Sequence, residues 1–226
     1  MASPQPRIGV VVFPGSNDDR DAAWALAALD AEPVLVWHEE PELPDLDAVV
    51  LPGGFSYGDY LRTGAIARFA PAMRAVERFA RDGGPVLGIC NGFQILCEAG
   101  LLPGVLRPNA SLSFVCRDVG LRVERADTPF TSRCEPGQTL VVPVKHGEGC
   151  YIRPDGLPEE QIAFRYTEPC NGSVDDIAGV LNEHGNVLGL MPHPEHAVDP
   201  LLGSADGALI LASLVDGARD RAIAAV

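Results

Sequence analysis

Unbroken apolar runs alternate with helical spacings through the first half of the chain. Residues 7–13 (Arg-Ile-Gly-Val-Val-Val-Phe) lack polar alternation, as expected of a parallel-sheet strand buried on both faces. The run ends at Pro14-Gly15-Ser16-Asn17. Asp18, Asp19 and Asp21, which follow, suit the N-terminal dipole of a helix with Ala23, Trp24, Leu26, Ala27 and Leu29 inward. Residues 33–37 read as a second strand, 38–46 as an acidic surface loop, and 47–51 as a third strand. Helical spacing returns over 65–81 through Ile66, Phe69, Met73, Val76 and Phe79, closed by Asp82-Gly83-Gly84. Residues 86–89 form another buried strand, and Phe93, Ile95, Leu96 and Ala99 give the next helix one core face before Gly100 ends it. This alternation predicts an α/β fold: a doubly wound, mostly parallel sheet flanked by helices, with ligands at the carboxyl ends of the strands.

The pattern changes after Asn109. Residues 112–115, 119–123, 140–144 and 162–166 read as short strands separated by turns, an antiparallel extension of the sheet. Residues 144–149 (Val-Lys-His-Gly-Glu-Gly) and Asn171-Gly-Ser-Val174 are glycine-rich polar interruptions that fit site-lining loops or plain hairpin turns equally well. Residues 177–181 and 186–191 pair as strands, and 205–218 closes the chain as a helix.

Composition narrows the setting. A chain of 226 residues can bury a full core as a single domain, taken here as 1–226. A formal charge of −14 argues against nucleic acid and anionic membrane surfaces as partners. No apolar run approaches the ~18 residues of a membrane span, and a cytoplasmic location is expected. Six cysteines without any C-x-x-C pair point to reduced thiols rather than a disulfide framework or zinc ribbon. Trp24 and Trp37 are assigned to the core, and His38 and His184 to solvated loops.

Three stretches carry chemistry. Gly88-Ile89-Cys90-Asn91-Gly92 is a nucleophile elbow with cysteine in the serine position. The sharp strand-to-helix turn needs small flanking residues, and the helix N-terminus favours a thiolate. The bland alternative is an apolar cysteine between ordinary loop glycines. Pro52-Gly53-Gly54, at the end of the third strand, can bring backbone N–H groups close to a ligand, as an oxyanion hole requires; a surface turn is the alternative. In Pro192-His193-Pro194-Glu195-His196, extended chain would project His193 and Glu195 to one side, so that the carboxylate orients the imidazole. Thiolate, imidazole and carboxylate together supply nucleophilic acyl transfer. A metal reading would use His193, Glu195, His196 and His146, but H-E-x-x-H spacing is lacking, so no metal is assigned. There is also no phosphate-binding glycine loop, so any ATP-dependent step belongs to another polypeptide.

Read together, these stretches resemble the class I (triad) glutamine amidotransferases over nearly the full length. Within that family they look like the glutaminase subunits of phosphoribosylformylglycinamidine synthase. That likeness rests on residues 13–17 with 19–21, 52–62 with 64–67, 88–96, 146–149, 171–173, and 191–195 with 202–207. It implies a flavodoxin-like fold with Cys90 as nucleophile, His193 as acid/base and Glu195 as its orienting partner. It also implies an oxyanion hole from the Gly54 and Asn91 N–H groups, and a glutamine pocket shaped by Gly53, Gln94, His146 and Gly147. The substrate would be L-glutamine, hydrolysed through a γ-glutamyl thioester. No cofactor is expected in this chain. ATP and magnesium would sit in a large synthetase subunit that receives the ammonia through a channel, with a small accessory subunit aiding assembly. A stand-alone cysteine hydrolase and a non-catalytic binding module are the competing readings. Two positions depart from the family pattern: Asp18 stands where many relatives have cysteine, and His196 where arginine is common. Neither is expected to touch the catalytic three.

Overall fold

The computed structural model describes residues 5–224. Nine strands form one sheet in the order β2-β1-β3-β4-β11-β10-β9-β6-β7. The first five, β2 (Glu32–Trp37), β1 (Arg7–Val12), β3 (Ala48–Leu51), β4 (Val86–Ile89) and β11 (Val187–Leu190), run parallel. The rest are antiparallel: β10 (Ile177–Leu181), β9 (Ile162–Tyr166), β6 (Val115–Val123) and β7 (Thr139–His146). The fold class is therefore the expected one. The chain leaves β1 for β2 on one side and returns for β3 on the other, which opens a crevice at the carboxyl ends of β1 and β3. Strands β3, β4 and β11 are buried at every residue, which explains their lack of polar alternation.

Around the sheet lie α1 (Asp19–Ala28), α2 (Pro71–Arg81), α3 (Asn91–Glu98) and α4 (Gly207–Ala224). None of the described helices is long and apolar enough to cross a membrane. All six cysteines are free.

Several expectations need correction. Helix α1 buries Ala22, Ala25 and Leu26, an i, i+3, i+4 stripe, so Trp24 falls on the opposite face, 51% exposed. Trp37 is 45% exposed because β2 is the edge strand. The span 65–81 is not one helix: a short 3-10 turn at Ala67–Phe69 stops at Ala70, whose extended backbone precedes Pro71. Proline disfavours helical backbone in the residue before it, and Ile66 and Phe69 are left exposed. Residues 112–115 are not a separate strand; Leu112 has φ +54° and is exposed, while the strand from Val115 continues to Val123. A second, two-stranded sheet of β5 (Val105–Arg107) and β8 (Cys150–Ile152) had no clear period-two signal. The final helix starts at Gly207 and runs to Ala224, later and longer than its pattern implied.

Candidate active site

The loops leaving β1, β3, β4 and β11 at their carboxyl ends, with the end of β7, enclose a cavity of about 460 Å³. Its lining includes Gly54, Cys90, Gln94, His146, Gly147 and His193, six of the nine residues singled out from sequence. Asn91, Gly53 and Glu195 stand immediately behind them.

Cys90 ends β4 and caps α3 with φ +51° and ψ −103°, a strained conformation for a side-chain-bearing residue. The backbone is pinned on the strand side, where Cys90 N–H donates to the Leu190 carbonyl at 2.8 Å. A Cβ on Gly92 would lie 2.0 Å from the Leu51 carbonyl oxygen, so α3 packs its first turn directly on β3. The elbow thus presents the sulfur to the cavity at the head of a helix.

Asn91 N–H is the first donor of α3 and has no acceptor within the helix. Gly54, with φ +147°, lies in a turn that bonds flank on both sides: Asn17 and Asp18 N–H donate to the Gly53 carbonyl at 3.1 and 3.2 Å, and Phe55 N–H donates to Gly15 at 2.8 Å. Because carbonyl and N–H point oppositely across a trans peptide, anchoring the Gly53 carbonyl on the Asn17 and Asp18 N–H groups leaves the Gly54 N–H pointing away from them, at the rim of the cavity that Gly54 and Cys90 share. Gly53 is required by close approach, since a Cβ there would meet Asp18 Oδ2 and the His193 ring.

His193 is fully buried, and its Nδ1 pairs with Glu195 Oε1 at 2.7 Å. These two do not sit on extended chain as expected: Pro194–His196 is a 3-10 turn that brings the carboxylate back to the ring. Nε2 makes no hydrogen bond among the described residues and is left for the reacting centre. Burial alone would lower the imidazole pKa. The Glu195 carboxylate and the Cys90 sulfur outweigh it and push the value up to about 10, so the ring is an imidazolium at neutral pH.

The walls are cross-braced. Asn91 Nδ2 donates to Gln94 Oε1 at 2.8 Å, Gln94 Nε2 donates to the Glu148 carbonyl at 2.7 Å, and Asn91 Oδ1 accepts from Ser56 N–H at 3.1 Å. His146 is held between Asn109 and Asn171, and burial together with the His193 charge lowers its pKa to about 4. It is a neutral wall, not an acid. His38, expected in solvent, is buried against the Tyr57 hydroxyl at 2.6 Å, while His184 is exposed as expected.

Asp59, Lys145 and Glu148 also line the cavity, as does Asp18, and no local motif gives any of the four a place in the site. Asp59 is pushed up to about 6 by burial and by the nearby Glu148. Nor do Asp18 and His196 keep away from Cys90, His193 and Glu195, as was expected of them. Asp18 Oδ2 lies 3.6 Å from His193 Nδ1, and His196 Nε2 lies 3.3 Å from Asp18 Oδ1 and 3.7 Å from Glu195 Oε1. The loops carrying them converge on one rim although far apart in sequence. Asp18, His193, Glu195 and His196 are close enough to share a cation. The Lys145 ammonium already occupies Asp18 Oδ1 at 2.5 Å, and its charge opposes a metal there.

Comparison with known proteins bears on the chemistry. Residues 5–206 match the CobB/CobQ-like glutamine amidotransferase domain. The phosphoribosylformylglycinamidine synthase subunit PurQ of Rubrobacter xylanophilus is 61% identical over 218 residues, 94% of this chain and 99% of that protein. The PurQ of Mycobacterium tuberculosis strain H37Rv is 57% identical over 208 residues, 90% of this chain and 93% of that one. Among solved structures, a chain of PurLQS from Thermotoga maritima superposes with a TM-score of 0.90 at 47% identity, covering 94% of this chain and 99% of its own. A glutamine amidotransferase from Thermotoga maritima, at 16% identity and TM-score 0.61, covers 97% and 98% of the two chains and shares the fold.

Proposed function

The chain belongs to the CobB/CobQ-like glutamine amidotransferases, and from that premise we propose that it is the glutaminase subunit of a phosphoribosylformylglycinamidine synthase. It would hydrolyse glutamine to glutamate and ammonia and deliver the ammonia to an ATP-dependent synthetase partner in purine biosynthesis. The observation that carries this reading is the convergence of Cys90, His193 and Glu195 at one cavity, which Gly54 also lines and beside which Asn91 opens α3. Names borne by relatives at 61% and 57% identity support the choice of synthase.

Each step is assigned to a group at or beside the cavity. The Cys90 sulfur attacks the side-chain carboxamide carbon of glutamine, and the oxygen takes up negative charge toward the Gly54 and Asn91 N–H groups. His193 Nε2 gives its proton to the departing nitrogen, the C–N bond breaks, and ammonia leaves a γ-glutamyl thioester on Cys90. The now neutral His193 draws a proton from water, which attacks the thioester. Glutamate is released, and the thiolate and imidazolium return. Glu195 holds Nδ1 throughout. The cavity carries Lys145 as well as Asp59 and Glu148, so both charges of a zwitterionic amino acid can meet a countercharge. The ATP and magnesium belong to the synthetase subunit, and a small accessory subunit completes the assembly.

The decisive experiment is Cys90→Ala in the complex with the synthetase partner. Glutamine-dependent amidine synthesis is expected to vanish while ammonia still supports it. Glutamine-dependent turnover that survives the substitution overturns the reading.

A further inference from the structure

Asp18 stands at the N-cap of α1, where an aspartate ordinarily accepts a hydrogen bond from the first-turn N–H groups. It makes no such bond. Its carboxylate is instead 3% exposed and turned into the site, which is unfavourable for a charge unless it is paired. Here the pairing is divided by oxygen. Oδ1 accepts from Lys145 Nζ at 2.5 Å and lies 3.3 Å from His196 Nε2, while Oδ2 faces His193 Nδ1 at 3.6 Å. Burial would raise the carboxyl's pKa, but His196, His193 and Lys145 more than offset it and keep the group ionised. A residue that gives up a local stabilising bond to join a buried network beside the reacting groups is a mark of function.

We propose, on the basis of the glutaminase reading above, that Asp18 is a positioning residue for the acid/base step, a second carboxylate that holds His193 in register with Glu195 while Lys145 restrains it. Glu195 takes the Nδ1 hydrogen and fixes the tautomer. Asp18 is too far for a competing hydrogen bond and acts by charge alone. Lys145 and His196 tie up Oδ1 and so keep Asp18 from rotating in to contest that hydrogen. Lys145 is itself fixed beside the nucleophile, since its carbonyl lies 3.9 Å from the Cys90 sulfur. The charged and titratable groups facing His193 are thus Cys90 from the elbow, His146 from the end of β7, Glu195 and His196 from the turn after β11, and Asp18 from the loop after β1, with Lys145 joined to them through Asp18. Because Asp18 and Lys145 carry opposite charges, the arrangement demands effects of opposite sign on His193 when each is removed.

The experiment follows the His193 imidazole by NMR across pH in the full chain, alongside the pH profile of glutamine hydrolysis in the complex with the synthetase. Asp18→Asn is expected to move the His193 titration down by about 1–3 pH units, the range for loss of one nearby opposite charge. The alkaline limb of kcat should fall with it, and kcat should drop by up to about 100-fold with a smaller change in KM. Lys145→Met should move the titration up, and the double variant should return it toward the starting value. Both single variants shifting in the same direction, or a folded Asp18→Asn with an unmoved titration, would overturn the proposal. Should Asp18→Asn fail to fold, an unmoved titration in Lys145→Met alone also overturns it. The titration does not depend on the substrate, so a wild-type complex that fails to hydrolyse glutamine defeats the glutaminase reading while the imidazole shift still decides the role of Asp18.

Discussion

Gly92→Ala sets intrinsic preference against packing, and the two predict opposite signs. In an exposed helix, replacing glycine by alanine stabilises by about 0.5–1 kcal/mol. At position 92 the added methyl would sit 2.0 Å from the Leu51 carbonyl oxygen, which belongs to the strand and cannot rotate away. Restoring even a 3.0 Å contact requires α3 to retreat from β3 by about 1 Å. Overpacking of this kind costs about 1–3 kcal/mol, so the net change is a destabilisation of about 1–2 kcal/mol. For a chain of this size that lowers Tm by about 2–8 °C. Cys90 and the Asn91 N–H ride on the first turn of the same helix, and a 1 Å displacement of reacting groups can reduce the rate by about 100-fold. Thermal melting and glutamine hydrolysis in the assembled complex measure both quantities. A Gly92→Ala chain that melts at or above the wild-type temperature with full turnover would refute the packing argument for the elbow.

Gly54→Ala would press a Cβ against the Gly15 carbonyl and the Asn17 nitrogen and displace the peptide proposed to carry an oxyanion donor; steady-state kinetics should show a loss of about 10²–10³ in kcat with KM less affected. Asp59→Asn should raise Tm clearly more at pH 8 than at pH 4.5, and leave it unchanged only below the unfolded pKa of 3.8. The folded-state pKa of about 6 lies above the unfolded value, so this carboxyl favours folding below the unfolded pKa and loses that contribution as pH rises through 6. His193, raised to about 10, contributes stability that is complete below its unfolded value near 6.5 and is lost as pH climbs through 10; denaturant unfolding from pH 7 to 10.5 should show the decline, with glutaminase activity falling over the same alkaline range.

The parts of the fold that could be read from sequence are those in which one force dominates. Strands β3, β4 and β11 are buried on both faces, so their runs are apolar without interruption. The elbow was legible because steric demand fixes its glycines at set offsets from Cys90. Trp24 was misplaced because alanines supply the buried stripe of α1, and small residues carry little weight in a hydrophobic pattern. The interruption at Ala70 was visible in Pro71 but was masked by apolar spacing on either side. The site divides the same way. Cys90, His193 and Glu195 announce themselves through local motifs. Asp18 and Lys145 are 127 residues apart, and nothing in either neighbourhood indicates that they meet; an aspartate before a helix looks like a cap, and a lysine near a strand end looks solvated.

The pairing of β4 with β11 sets Ile89 opposite Leu190, and each strand releases its reactive side chain within three residues of that rung. The separation of sulfur and imidazole is therefore counted out along the backbone, like the divisions of two rulers laid side by side. Swaps of similar-sized apolar residues in either strand leave the count intact. Inserting or deleting a single residue in either would shift one ruler by about 3.3 Å and turn its side chains to the opposite face. Apart from Gly88 and Gly189, where a Cβ would strike α3, these two strands can thus exchange one apolar residue for another of similar size, but cannot change their length.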